Sequence, residues 1–245
     1  MAYISARNEL LKRAAWRSLK KNSGFICFIE HCSVVLHRKQ FIMSIADRKQ
    51  REKDDMRGLI MDAARQIFLE KGYELTSIRA IAERIEYSPG TIYLYFKDKD
   101  EIFHLLHEEG FRRMLEKMSV LAHVADPFER LKAVGRVYME FAQNNTDFYH
   151  LMFIMNTPME HEKEHDKWQM GQNTLNYLQT VLSECQAQGR FKGMNIEHLS
   201  FTIWATVHGM CALMITQRCK AYPDTDPLEL MTEGYKIFVS MLEKC

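Results

Sequence analysis

The chain has 245 residues, 47% of them hydrophobic and 27% charged, with Lys+Arg 33 against Asp+Glu 32. These proportions exclude a disordered, collagen-like or mucin-like chain and fit one or two globular domains with a core of their own. With only 11 Gly and 5 Pro, turn material is too scarce for an all-β fold, and helices are expected.

The net charge of +1 conceals a gradient. Residues 1–46 carry 8 basic and 2 acidic side chains, residues 47–100 carry 11 of each, and residues 101–245 carry 14 and 19. A polyanionic partner therefore has to meet a local surface and not the whole molecule. The cysteines Cys27, Cys32, Cys185, Cys211, Cys219 and Cys245 follow no disulfide framework and read as reduced thiols of a cytoplasmic protein.

Near the N-terminus, the apolar stretch 24–36 (GFICFIEHCSVVL) is interrupted by Glu30 and His31 and is too short to span a bilayer. Elsewhere no run reaches about 18 uncharged apolar residues, so no membrane association is expected. Cys27, His31, Cys32 and His37 match no common zinc spacing. Met43 opens a polar lead, MSIADRKQREKDD, into a periodic helix; residues 1–42 read as an upstream extension, with Met43 a candidate start.

Met56, Leu59, Ile60, Ala63, Ile67 and Phe68 recur at three- and four-residue spacing, which makes one buried helical stripe. Gly72 is placed to close that helix. Thr76 or Ser77 caps a short second helix whose inner face is Ile78, Ile81, Ala82 and Ile85. It has no capping-box glutamate, because Arg79 and Ala80 occupy the two candidate positions. Glu86-Tyr87 makes a tight turn, and Ser88-Pro89 restarts a helix with a favoured cap followed by proline at the first helical position. Two short helices joined in this way describe a helix-turn-helix.

The run 60–102, IMDAARQIFLEKGYELTSIRAIAERIEYSPGTIYLYFKDKDEI, resembles the DNA-binding domain of the tetracycline-repressor (TetR) family. The resemblance rests on Thr76-Ser77-Ile78-Arg79 with Ile81-Ala82, on Ser88-x-Gly90-Thr91-Ile92-Tyr93-x-Tyr95-Phe96, and on Lys97 and Lys99. One departure is Glu86, where many members carry glycine; a left-handed backbone there costs a non-glycine residue roughly 1 kcal/mol. The resemblance assigns Thr76, Ser77 and Tyr93 to phosphate, and Arg79, Pro89, Gly90, Thr91 and Leu94 to the floor of the major groove.

The residue chemistry agrees. A recognition helix enters the groove by its N-terminal end; Ser88 starts it, Gly90 lets the backbone approach, and Thr91, Tyr93 and Tyr95 offer hydroxyls. Lys97 and Lys99 follow the helix and suit phosphate, and Arg79 is able to read guanine bidentately. By period alone Tyr93 and Tyr95 also fit an aromatic core. Arg48, Lys49 and Arg51 fit either a minor-groove arm or a solvated helix start.

Further helical patterns at 98–122, 127–144, 146–156, 161–188, 196–218 and 227–243 complete an all-α fold. The expected domains are the extension 1–46, the helix-turn-helix domain 47–97 and a ligand-binding and dimerisation domain 98–245. Trp204-x-x-x-His208-Gly209 resembles the Trp-His-Gly motif of one class of TetR-like C-terminal domains. The family resemblance implies a homodimer through 196–218 and 227–243, using Trp204, Val207, Met210, Leu213, Met214, Leu228, Met231, Tyr235, Phe238, Met241 and Leu242. Two recognition helices then reach half-sites of a palindromic double-stranded operator about 34 Å apart.

Segment 101–245 holds 12 of the 16 methionines and many aromatics, material for an adaptable pocket or for ordinary helical core. Phe103, Tyr138, Phe141, Met152, Trp168 and His208 are the candidates for binding a small apolar or amphipathic effector. His161-Glu162-x-x-His165 fits the zinc-protease pattern, but Lys163 and Glu164 inside it are charged and Glu160, Asp166 and Lys167 flank it, as in a solvated helix start. No metal or cofactor and no enzymatic activity is expected. The function expected is a homodimeric DNA-binding repressor released when a ligand tilts helix 98–122; a ligand-independent regulator and a metal-dependent hydrolase are the alternatives.

Overall fold

A computed structural model of the chain describes residues 44–155 and 169–245, and every regular element among them is helical. The chain divides into two compact units, Met1–Asp55 and Met56–Cys245. Helix α1 (Ile45–Leu75) begins on a reciprocal cap: Asp47 N donates to Ser44 Oγ at 3.1 Å and Ser44 N to the Asp47 carboxylate at 3.0 Å. Arg48, Lys49 and Arg51 therefore lie on a helix start, with Arg48 3.4 Å from Glu52, and not on an extended arm. The boundary expected between residues 46 and 47 falls inside this helix.

Gly72 breaks the helical run with φ 80 and ψ 168, a backbone that glycine reaches without a Cβ penalty. One more turn follows before Ser77 caps α2 (Ile78–Arg84), accepting from Ala80 N at 3.2 Å. Glu86 is left-handed, with φ 61, so the turn keeps the geometry that glycine would favour. Ser88 then caps α3 (Pro89–Tyr93), accepting from Thr91 N at 3.2 Å, with Pro89 in the first turn. Ile60, Ala64, Ile67, Phe68, Ile81, Ala82 and Ile92 are wholly buried where the three helices meet, and Phe96 nearly so.

Helix α4 (Lys99–Ser119) starts on Asp98 and ends in a 3₁₀ turn at Val120–His123. Helix α5 spans Pro127–Asn144. The helix expected at 146–156 is instead α6 (Thr146–Tyr149) followed by one π-turn, His150–Ile154. Of the helix expected at 161–188, α7 (Gln169–Ala187) is described; His161, Glu162, His165 and Trp168 lie outside the described residues. Helix α8 (Ile196–Ile215) stops short of 218 because Gln217 turns left-handed, and a 3₁₀ turn, Arg218–Ala221, follows. Helix α9 spans Pro227–Leu242. Both α5 and α9 begin with an aspartate that accepts two backbone amides ahead of proline, which fixes where each starts.

A continuous apolar core runs from Ile60 in α1 through α4 to Tyr235 in α9. A smaller cluster around Phe128, Leu131, Val181, Leu182, Cys185 and Phe191 closes the far end of the bundle. Helix α9 seats closely on α5: a Cβ on Gly135 would collide with the Tyr235 ring, whose hydroxyl donates to the Lys132 carbonyl at 2.8 Å. Gly135→Ala is expected to lower stability by about 1–3 kcal/mol in chemical denaturation, the range for overpacking a fitted contact. Glu86→Gly is expected to raise the thermal midpoint by up to about 2–4 °C, because relief of the left-handed strain outweighs the freer unfolded chain. A lower midpoint would show that the Glu86 side chain contributes contacts of its own.

Candidate nucleic-acid interface and ligand pocket

Helices α2 and α3 carry most of the residues expected at DNA on open surface. Ser77, Arg79, Ser88, Pro89, Gly90 and Lys97 are exposed, and Thr91 and Tyr95 half-buried. Tyr93 is 59% exposed and Leu94 77%, with nothing in the described residues covering them. The Arg79 guanidinium touches Glu83 one turn away at 3.1 Å, a solvated pair that gives way readily to a stronger partner. A Cβ on Gly90 would meet only Ser88 Oγ at 3.6 Å, so nothing inside the protein demands glycine there.

Two residues depart from expectation. Thr76 is buried and donates its hydroxyl to the Gly72 carbonyl at 2.7 Å; it holds the end of α1 and has no side-chain atom to offer a phosphate. Lys99 opens α4 instead of trailing α3, and its ammonium lies 3.0 Å from the Tyr73 carbonyl and 4.3 Å above the Tyr73 ring. Tyr95 divides between the two readings: its ring packs on the core, and its carbonyl accepts from Arg57 at 2.6 Å while that guanidinium lies 4.3 Å over Phe96.

The head is fastened to α4 by aromatic packing. Phe103 meets the rings of Phe68 and Tyr73 edge-on at 5.2 Å each, and the Tyr73 hydroxyl donates to Asp100. Burial first, and then this bond to a carboxylate, pushes the Tyr73 hydroxyl well above its usual range. Phe103 is thus a joint residue and not a pocket residue. A second tie joins Arg65 of α1 to Asp147 of α6, each about a quarter exposed.

Helices α4, α5, α7, α8 and α9, with the π-turn, enclose an apolar cavity of about 820 Å³ counting its open mouth. Of the six candidates for ligand contact, Tyr138 lines it. Phe141 and Met152 are buried elsewhere in the core, Met152 against Gly110, and His208 stands behind Tyr138. The wall also contains residues outside those six candidates, above all the small ones, Gly135, Gly171 and Thr174, and the methionines Met114 and Met118. At one end, Trp204 Nε1 donates to the Tyr138 hydroxyl at 3.2 Å, and the Tyr138 and Tyr149 hydroxyls lie 3.1 and 2.7 Å from His208 Nδ1. The Trp-His pair of the sequence motif therefore ties α8 to α5 and α6. Burial raises both tyrosines and lowers His208, which keeps this end of the cavity neutral.

The outer sides of α8 and α9 form a separate surface. Phe201, Leu213, Leu228, Ile237 and Met241 are exposed, and a Cβ on Gly209 would meet nothing within 4 Å. Val207, Met231 and Tyr235, expected at an intersubunit contact, are instead buried within the subunit, because the inner face of each helix faces the cavity. Among the described residues, α8 is by length and composition apolar enough to cross a membrane, although Ser200, Thr202, Thr206 and His208 interrupt its apolar run.

The family model described as bacterial regulatory proteins of the tetR family matches residues 60–113, and that of the tetracyclin repressor-like C-terminal domain matches residues 131–234. The chain belongs to the TetR family of bacterial regulatory proteins.

Among curated relatives, the uncharacterized HTH-type transcriptional regulator YfiR of Bacillus subtilis is 36% identical over 66 residues, 27% of this chain and 32% of that one. The fatty acid metabolism regulator protein of the same organism is 39% identical over 59 residues, 24% of this chain and 30% of that one. The matches thus span about a third of the length of these relatives. The fold is shared with the fatty acid degradation regulator FadR of Bacillus halodurans, at TM-score 0.62 and 22% identity over 75% of this chain and 94% of that one. It is shared also with FadR of Bacillus subtilis in complex with stearoyl-CoA, at TM-score 0.57 and 22% identity over 74% and 97%.

His107, between the head and the cavity, is buried, bonds the Met152 carbonyl, and has its pKa lowered to about 4 chiefly by burial. The unfolded chain then binds the proton more readily than the folded one. Stability is therefore full above the unfolded value near 6.5 and falls as pH drops from there toward 4, by up to about 3 kcal/mol. Denaturation midpoints measured across that window are expected to show the fall, and His107→Phe to flatten it.

Proposed function

We propose that this protein is a homodimeric transcriptional repressor of the cytoplasm that binds a palindromic operator through α2 and α3 and leaves it when a small apolar or amphipathic molecule fills the cavity. The observation that carries the reading is a single core in which α4 serves two masters: Phe103 packs into the head while Phe111, Met114 and Met118 line the cavity. The outward apolar face of α8 and α9 supplies the second subunit's seat, and two-fold pairing there presents two recognition helices to successive turns of the groove.

Operator binding then divides by residue. Arg79 reads a base edge, Gly90 admits the backbone, and Ser77, Tyr93 and Lys97 hold phosphates. Filling the cavity moves Phe153 of the π-turn. Its neighbour Met152 is bonded to His107 of α4, and Asp147, at the start of the same segment, is bonded to Arg65 of the head. Both links shift the head relative to the operator. An equilibrium coupling of this kind is typically about 1–3 kcal/mol, and it acts equally in both directions.

The relatives support the effector class: the Bacillus subtilis FadR structure holds stearoyl-CoA, a long apolar chain on a polar head. The alternative, a metal-dependent hydrolase using His161, Glu162 and His165, predicts one zinc per chain in protein purified without added metal; the regulator predicts none.

The test is fluorescence anisotropy of the full chain on labelled DNA from upstream of its own gene, against scrambled DNA at two salt concentrations. Preference for the native fragment that survives the higher salt is expected. Arg79→Ala is expected to remove about 1–3 kcal/mol of that preference and leave thermal stability unchanged. Equal binding to native and scrambled DNA would contradict sequence-specific repression at this site.

A further inference from the structure

Among the described residues that line the cavity, Lys132 is the one with a charged side chain. It belongs to the end opposite the neutral Tyr138-Trp204 pair. Lys132 and Tyr138 are six residues apart on α5, about 9 Å along the axis, and the wall between them is Val134 and Gly135. The Lys132 side chain is only 16% exposed, and its ammonium lies 2.5 Å from Glu129 and 3.5 Å from Glu243. Both carboxylates are half-exposed, so the ammonium sits where the cavity meets the surface. Neither glutamate lines the cavity, and the charge that its described wall presents is positive. Glu129 is bound one turn along the same helix, whereas Glu243 caps the end of α9 and makes the longer contact.

Building on the effector pocket proposed above, we infer that Lys132 anchors the anionic head of an amphipathic effector whose apolar chain runs along α5 toward Tyr138, and that the head takes the place of Glu243. The ligand class is therefore a straight-chain molecule with an anionic head, either a compact carboxylate or the larger phosphate-bearing head of a CoA thioester. Replacement of Glu243 frees the end of α9, the helix that carries Ile237 and Met241 on its outward face. Headgroup recognition thus reaches the dimer face directly. A head without charge leaves the Lys132–Glu243 contact in place and gains nothing from it.

The experiment is isothermal titration calorimetry on the full chain with decanoate, decanoyl-CoA, decanol and decylamine. At least one of the two anions is expected to bind tenfold or more tightly than decanol, with decylamine weakest, and the tighter anion identifies the head. Lys132→Met is expected to bring the anion to parity with decanol while decanol binding persists. Lys132→Arg retains the preference, and Glu243→Gln tightens the anion several-fold with decanol unchanged. Decanol or decylamine binding as tightly as the anions, or a preference that survives Lys132→Met, overturns the anchor and leaves the apolar pocket standing. Binding of none of the four overturns the pocket reading and the anchor with it.

Discussion

One helix has to satisfy two interiors at once. The first turn of α4 packs Phe103 against the Phe68 and Tyr73 rings of the head, and its later turns present Phe111, Met114 and Met118 to the cavity. Both sets stand on a rigid rod with fixed spacing, so a shift that repacks one set displaces the other. The core has no break between head and body. The two ties beside the rod, His107 to the Met152 carbonyl and Arg65 to Asp147, leave from the same short segment, α6 with its π-turn. That segment also places Phe153 in the cavity wall. The cavity wall and the head therefore share one mechanical element.

The electrostatic arrangement follows the same division. The residues proposed to face DNA are solvated and loosely partnered, as Arg79 is, so contact with a phosphate or base would displace little. Among the described residues the cavity is neutral at its inner end, where hydroxyl and ring groups bond one another around His208, and carries a charge at Lys132. These mutual hydrogen bonds fix the packing of α5, α6 and α8. An apolar space bounded in this way favours a chain over a compact polar solute.

Much of the architecture was legible in the sequence because periodicity reports which side of a helix faces inward. The stripe from Ile60 to Phe68, the Ser88-Pro89 start and the helical patterns opening at 127 and 227 all encode local geometry, and the structure has them. The cavity was not legible for the same reason. Phe103, Phe141 and Met152 do face inward, but inward includes both core and void, and a void arises where neighbouring helices bring small residues together. Gly135, Gly171 and Thr174 were the available signal, and a search for aromatics passed over them. Thr76 was misread because a cap hydroxyl and a buried hydroxyl look alike until Gly72 sets the chain direction. Val207, Met231 and Tyr235 were assigned to the outward face because α8 and α9 are apolar on both sides, which blurs the period.

Filling the cavity with a side chain tests the shared-rod mechanism most directly, since it needs no identified effector. Thr174→Trp places a ring in the space between α7 and α8, and thermal denaturation and solution mass establish that the variant is folded and dimeric. Its operator affinity is expected to fall by roughly fivefold or more, the lower end of typical allosteric couplings, with the affinity for scrambled DNA unchanged. A folded, dimeric variant that binds the operator as tightly as the parent would contradict coupling through α4.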